Sequence, residues 1–461
     1  MPSQEDTIAA ISTPIGKAGI GIIRISGPDA YKIARQIFRP KKPNQVLQSH
    51  RLYLGHLLDP STDEIIDEVL LSFMKGPHSY TREDIIEINS HSGYILLSRI
   101  LQIVICHGAR LAEPGEFTLR AFLNNRIDLT QAEAVVDLIN SLSERGLNLA
   151  SHQTRGSLRR QIEGLRKAVI DILAHAEVAI DFPEEEAGIM SKEEASERIS
   201  RFVIEPIEEL IKAHARKRFW VDGINTVIVG RVNAGKSSLL NRLLNEQRAI
   251  VTPIPGTTRD IIESTFDIEG IPLRIMDTAG LGQTKDDAER IGVQLTKEKL
   301  IEADFALIVV DRSRSLNQDD LDIIAQAENK NALIVINKID LPTCIDEETE
   351  NNTLSAFPRV QISALTGQGI DQLREAITKC LLQEDTDFTS SHAAPNLRHR
   401  KALMDALSYF RAAATIARQD APMEIIALEL NSGLDALGQI IGETAGEEVL
   451  DRIFSQFCLG K

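Results

Sequence analysis

The chain has 461 residues, a net charge of -16, 43% hydrophobic and 4% aromatic residues, and four cysteines. That length suits roughly two to four domains, and the acidic balance excludes nonspecific binding to nucleic acid or to an anionic membrane, so a nucleic-acid partner needs a local basic patch. There is no apolar run of roughly 18 residues, no secretory leader and no C-x-x-C pair, so a cytoplasmic protein with reduced thiols and no membrane contact is expected.

Residues 1–118 read as a mixed α/β domain. Strands are predicted at Ile8–Ser12, Gly19–Ser26, Arg51–Leu57, Glu68–Met74 and Asp84–Asn89, and helices at Ala30–Phe38 and Tyr94–His107. Arg24 and Glu87 each place a charge in an apolar run, which is costly unless paired. Either they pair with each other or at strand edges, or they form a ligand site in which a carboxylate takes the N–H edge of a heterocycle.

Residues 119–220 are predicted helical. Leu158, Ile162, Leu165, Val169, Ile172, Ala176 and Ala179 form one stripe that stops at Asp181-Phe182-Pro183, and a second helical stretch runs from Lys192 to Arg218. The basic clusters Arg155/Arg159/Arg160, Arg216/Lys217/Arg218 and Arg398/Arg400/Lys401 suit solvated helix faces or a polyanion patch. Residues 221–382 alternate strands and helices, the rhythm of a parallel sheet with crossovers. Helices return over 383–461, with stripes Leu430/Leu434/Leu437/Ile441 and Leu450/Ile453/Phe454/Phe457. The order suggests an α/β unit inserted into one helical domain.

Gly230-Arg231-Val232-Asn233-Ala234-Gly235-Lys236-Ser237 is G-x-x-x-x-G-K-S between a strand, Thr226–Val229, and a helix opening at Ser238. Glycines let successive N–H groups point at an anion, Lys236 reaches the β- and γ-phosphates, and the Ser237 hydroxyl suits Mg²⁺. In Asn337-Lys338-Ile339-Asp340, the Asp340 carboxylate can accept both guanine N1–H and the 2-amino group, a pair adenine lacks. Ser363-Ala364 offers a backbone N–H for guanine O6. Asp277-Thr278-Ala279-Gly280 and Gly256-Thr257-Thr258 supply a carboxylate near Mg²⁺ and a switch threonine, Thr258. GTP binding follows from the set.

Leu281 stands where a Ras-like arrangement has the water-orienting glutamine, so another polar group must act, the nearest lying in Asp286-Asp287-Ala288-Glu289. Arg259 suits either a structural pair with Asp260 or an arginine finger. Asn233 with Thr252-Pro253-Ile254-Pro255-Gly256 can hold a monovalent cation against the phosphates. The terminal Phe457-Cys458-Leu459-Gly460-Lys461 does not fit a lipidation signal. It reads as a buried cysteine with a frayed end, or as a helix delivering Cys458, Lys461 and a carboxylate to a pocket.

Over essentially its whole length the chain is similar to the tRNA modification GTPase MnmE (TrmE) family. The matching segments are Gly21–Gly27, Glu113-Pro114-Gly115-Glu116-Phe117, Arg120–Asn124, Leu129–Ala134, Ala179–Pro183, the GTPase motifs and the Phe-Cys-Leu-Gly-Lys end. The resemblance implies a multidomain α/β plus all-α protein: an N-terminal α+β tetrahydrofolate-binding and dimerisation domain (1–118), a discontinuous helical domain (119–220 and 383–461) and an inserted Ras-like G domain (221–382). It implies a homodimer that joins an FAD-dependent MnmG-type partner in a heterotetramer. Together they add a carboxymethylaminomethyl-type group to C5 of the wobble uridine of certain tRNAs, the one-carbon unit coming from 5-formyl- or 5,10-methylene-tetrahydrofolate. Carried over by residue, K⁺ falls to Asn233, Thr252, Ile254 and Thr257, and Mg²⁺ to Ser237 and Thr258. The water-positioner is Glu289, a catalytic cysteine is Cys458, and folate contacts are Arg24, Glu87, Arg126 and Lys461. Val232, Gly282 and Leu365 depart from commoner Pro, Arg and Lys, and Arg126 stands where some relatives have Lys; none removes a phosphate, metal or base contact. The rival reading is a regulatory GTP-switch protein such as a ribosome-assembly factor.

Overall fold

The computed structural model describes residues 6–42, 45–181, 190–246, 264–276, 300–328, 330–346, 354–355, 357–382, 393–419 and 421–461. Two compact units form, one from residues 1–136, 152–209 and 397–461, the other from 137–151 and 210–396.

The first unit holds a seven-stranded sheet in the order β3-β4-β5-β6-β2-β1-β7. The strands are β1 (Ile8–Ile11), β2 (Gly21–Ser26), β3 (Phe38–Pro40), β4 (Arg51–Asp59), β5 (Glu64–Met74), β6 (Ile85–Ser90) and β7 (Arg110–Leu111). All neighbours are antiparallel except β1 and β7. The period-2 pattern buries Ile23, Ile25, Ile86 and Ile88 against two helices, Ala30–Ile37 and Tyr94–Cys106. β3 and β7 have only three and two residues, too short to show a period.

The rest of this unit is helical. In the helix Ser157–Asp181 the stripe Leu158, Ile162, Leu165, Val169, Ile172 and Ala176 is buried, and the helix packs on Met423–Ile441, which also packs on Leu397–Arg418. A Cβ on Gly433 would enter the Phe410 ring, so glycine sets the close approach of those last two helices. The predicted helix from Lys192 to Arg218 instead has a widened turn at Ser200–Ile204 between Lys192–Ile199 and Glu205–Lys217. Pro206 has no N–H for the Phe202 carbonyl, which breaks the regular ladder there.

The second unit holds a six-stranded sheet in the order β13-β12-β11-β8-β10-β9. The strands are β8 (Ile224–Val229), β9 (Ser264–Ile268), β10 (Ile271–Ile275), β11 (Phe305–Asp311), β12 (Ala332–Asn337) and β13 (Arg359–Gln361). β11 and β12 are buried along their whole length, as strands covered on both faces must be. The sheet is not wholly parallel: β9 pairs antiparallel with β10. Glu269 and Gly270 form a two-residue turn with φ of 51° and 89°, and that turn can only reverse the chain. Residues 137–151, predicted as part of the helical region, pack in this second unit.

Of the three basic clusters, Arg159 pairs with Glu163, Lys217 with Asp137, and Arg398 with Glu133. Arg398 also donates to the Gln439 and Ile440 carbonyls at the C-terminus of the helix Met423–Ile441. Arg398 and Lys217 thus tie helices together, whereas Arg159 sits in an exposed pair within its own helix.

Candidate functional site

The phosphate loop leaves β8 at Gly230, whose φ of 149° is open to glycine and where a Cβ would strike the Val309 carbonyl. Asn233 (φ 65°) and Gly235 (φ 101°) turn the chain into the helix Lys236–Glu246. Asparagine tolerates this left-handed backbone better than most residues. A Cβ on Gly235 would meet the Asn337 side-chain amide.

Lys236 Nζ donates to the Gly230 carbonyl at 2.7 Å and the Arg231 carbonyl at 2.9 Å. Burial lowers its pKa, because the ammonium is partly stripped of water and no carboxylate among the described residues compensates. An anion in the loop would relieve that penalty. Ser237 and Ser238 are exposed at the helix start, the end of a helix that favours negative charge.

Asn337 joins the separate motifs. Its Nδ2 donates to the Ala234 carbonyl at 2.9 Å, and its Oδ1 accepts the Ala364 N–H at 3.0 Å. One buried amide thus fixes the phosphate loop to the Ser363-Ala364 turn. The Ser363 N–H donates to the Gln368 carbonyl at 2.9 Å, closing that turn, and Arg242 Nε donates to the Ala364 carbonyl at 3.2 Å. Lys338 (φ 68°) places its ammonium 2.7 Å from Asp311. Burial pushes the Asp311 carboxyl up, but hydrogen bonds from Lys338 and Ser313 outweigh it and hold the group below the usual range. Asp340 is exposed two residues beyond Lys338. The sequence reading missed the Arg231–Asp320 pair at 3.4 Å, which ties the loop to the helix Gln318–Gln326. Thr252, Ile254, Gly256, Thr257, Thr258, Asp277, Thr278, Ala279, Gly280 and Glu289 lie outside the described residues.

A second constellation lies in the first unit. Arg24 on β2 faces Glu87 on β6 in register, with Nε donating to Oε1 at 2.9 Å. Arg24 Nη1 also donates to the Gly460 carbonyl at 3.2 Å, and Ser12 Oγ to the same carbonyl at 3.1 Å. Gly460 has φ 87°, and a Cβ there would press on the Ile11 carbonyl. The C-terminal tail is therefore docked, with Lys461 the next residue and Cys458 exposed two residues before Gly460. Arg126 lies 4.7 Å over the Tyr80 ring and Arg24 5.9 Å from it. Tyr80, whose hydroxyl bonds Thr118 Oγ1 at 3.0 Å, carries no charge or motif, so the sequence offers no signal for it.

The same unit holds an ion-pair network for which the sequence pattern gives no signal. Arg120 (4% exposed) contacts Asp6, Glu83 and Glu116, while Arg110 contacts Asp6 and Glu116. Burial raises the Glu116 pKa, yet the Arg110 hydrogen bond, the Glu113 N–H and Arg120 together bring it below the ordinary value.

A family model described as the MnmE helical domain matches residues 129–458, and one described as the GTP-binding protein TrmE N-terminus matches residues 7–126. The tRNA modification GTPase MnmE of Natranaerobius thermophilus is 43% identical over 99% of this chain and 100% of its own length. Its namesakes in Thermoanaerobacter pseudethanolicus and Acetivibrio thermocellus are each 44% identical over 99% of this chain, and over 99% and 100% of their own lengths. The chain belongs to the MnmE family of tRNA modification GTPases. Solved structures similar to part of it include the G domain of the T. maritima FeoB iron transporter (25% identity, 34% of this chain and 99% of that one, TM-score 0.26). An Era variant from Aquifex aeolicus bound to GDP·AlF4⁻ is also similar (28% identity, 40% of this chain and 66% of that one, TM-score 0.27). Among the described residues of this MnmE-family chain, no helix is long and apolar enough to cross a membrane, and no cluster of His, Cys, Asp or Glu suits a metal ion.

Proposed function

We propose that the chain hydrolyses GTP at the Gly230–Ser237 loop and uses the cycle to drive tRNA wobble-uridine modification with a reduced folate. The observation that carries the reading is the Asn337 amide, which brings the phosphate loop and the Ser363-Ala364 turn together beside Asp340. Lys236 exchanges its two carbonyl acceptors for phosphate oxygens. Ser237 and Thr258 would hold Mg²⁺, and Asn233, Thr252, Ile254 and Thr257 would hold K⁺. When bound, these ions neutralise charge developing on the phosphates. Glu289 orients water toward the γ-phosphorus, giving GDP and phosphate. The docked tail, with Arg24, Glu87, Arg126 and Lys461, forms the folate pocket, and Cys458 lies close by in sequence for covalent chemistry. The three-domain division at 118, 220 and 382, the cytoplasmic homodimer and the FAD-dependent partner complete the proposal.

GTP turnover in potassium is expected to exceed that in sodium, and Glu289→Ala to lower it; equal rates in both salts would remove the cation mechanism. Calorimetric titration with 5-formyltetrahydrofolate tests the pocket. A chain that turns over GTP but ignores the folate would be a switch protein of the ribosome-assembly kind.

A further inference from the structure

Trp220 is the chain's one tryptophan, 5% exposed, in the widened turn Arg218–Asp222 directly ahead of β8. The segment 137–151 grips it from one side. Ser143 Oγ donates to the Trp220 carbonyl at 2.9 Å and accepts the Gly146 N–H at 3.0 Å. A Cβ on Gly146 would collide with that same carbonyl, so the two backbones are as near as glycine allows. Asp137 and Lys217, both largely buried, pair at 2.7 Å and anchor the segment.

Arg145 reaches further. Its guanidinium carbon lies 4.5 Å over the indole, while a Cβ on Gly270 would come 3.2 Å from its Cδ and 3.3 Å from its Nε. The side chain is therefore wedged between the indole and the Glu269-Gly270 turn. That turn closes a hairpin with telling ends. β9 starts six residues after Thr258, and β10 stops two residues before Asp277. The hairpin thus joins the two stretches expected to respond to a γ-phosphate, and β8, which follows Trp220, runs into the phosphate loop.

We propose that Arg145 is a positioning residue of the GTP site: it braces the hairpin turn against Trp220, so that exchange of the nucleotide is felt at the indole. This rests on the reading that the Gly230–Ser237 loop binds GTP. Arg145 is exposed on its outer side; in this proposal it acts through the spacing of the strands that carry the responding groups and not on the nucleotide itself.

The test uses full-length protein with Mg²⁺, and the lone tryptophan supplies the signal. Tryptophan emission is compared with GDP and with a non-hydrolysable GTP analogue, and binding of a methylanthraniloyl nucleotide is followed separately by direct excitation. The parent is expected to shift its emission between the two nucleotides. Arg145→Gln is expected to abolish that shift and lower kcat about tenfold, as small misplacements near chemistry do, with affinity changed by less than about twofold. Arg145→Lys keeps the charge but not the plane and is expected to restore part of both; it decides the matter if the glutamine variant does not fold. A parent-like shift and kcat in the variants, or a joint fall in affinity and kcat, would overturn the brace. So would a parent whose indole is silent while the labelled nucleotide binds. No nucleotide binding at all would instead remove the GTP reading itself.

Discussion

Lys236 and Arg120 are both cations withdrawn from water, and they are treated in opposite ways. Lys236 rests on two neutral carbonyls, and burial lowers its pKa. Arg120 is surrounded by Asp6, Glu83 and Glu116, and although burial works against its charge, those carboxylates raise its pKa. A neutral acceptor is surrendered cheaply to a phosphate, whereas a buried ion pair is costly to open. Among the described residues, the cation proposed to bind phosphate is thus left under-compensated, and the one set among carboxylates is compensated. Arg24 stands between them, holding one carboxylate and one carbonyl.

The largest expected effect follows from removing the under-compensated cation. Lys236→Ala should lower GTP turnover about 10²- to 10³-fold, as loss of one charge-stabilising donor does, with the thermal midpoint unchanged; a parent-like rate would erase the contrast. Next, Asp340→Ala should weaken GTP about 10²-fold relative to ATP by stranding the guanine donors, read by competition with a labelled nucleotide. Arg24→Ala should weaken 5-formyltetrahydrofolate about tenfold by calorimetry while GTP turnover holds, because the pocket and the phosphate loop lie in different compact units. An undiminished affinity would class Arg24 with Arg120 as purely structural.

The last effect is read in stability and not in binding or turnover. Glu116→Gln should cost about 3 kcal/mol, because the buried Arg120 and the half-buried Arg110 both lose a partner. It should also flatten the acid limb of the melting profile. The folded-state pKa of Glu116 is below its ordinary 4.5, so its contribution is complete above that pH and is lost as pH falls through the folded value. In the parent, the midpoint should therefore drop below about pH 4.5, and more steeply than in Glu116→Gln. Identical slopes would show that the carboxylate is not held by its arginines.

Much of this was legible in order along the chain. Charges at Arg24 and Glu87 stood out against apolar runs, and pairing across β2 and β6 follows from their places in strands of matching period. The helical stripe from Leu158 was readable because one face repeats. Tyr80 was not, since a lone tyrosine in a loop has no periodicity. The widened turn at Ser200–Ile204 was hidden by a helical pattern that continued through Pro206.

By itself the sequence determined the phosphate-loop motif and the family and pointed to base-reading candidates, because backbone curvature at Gly230 and Gly235 and the chemistry at Lys236 and Asp340 are local properties of residue type. Only the tertiary structure decided what those residues lean on: that Asn337 spans two motifs, that Gly460 closes on Arg24, and that residues 137–151 belong with the second unit. The physical reason is distance along the chain. A hydrogen bond between residues 436 positions apart, as from Arg24 to Gly460, leaves no local trace, and exists only because packing elsewhere has already ordered both ends.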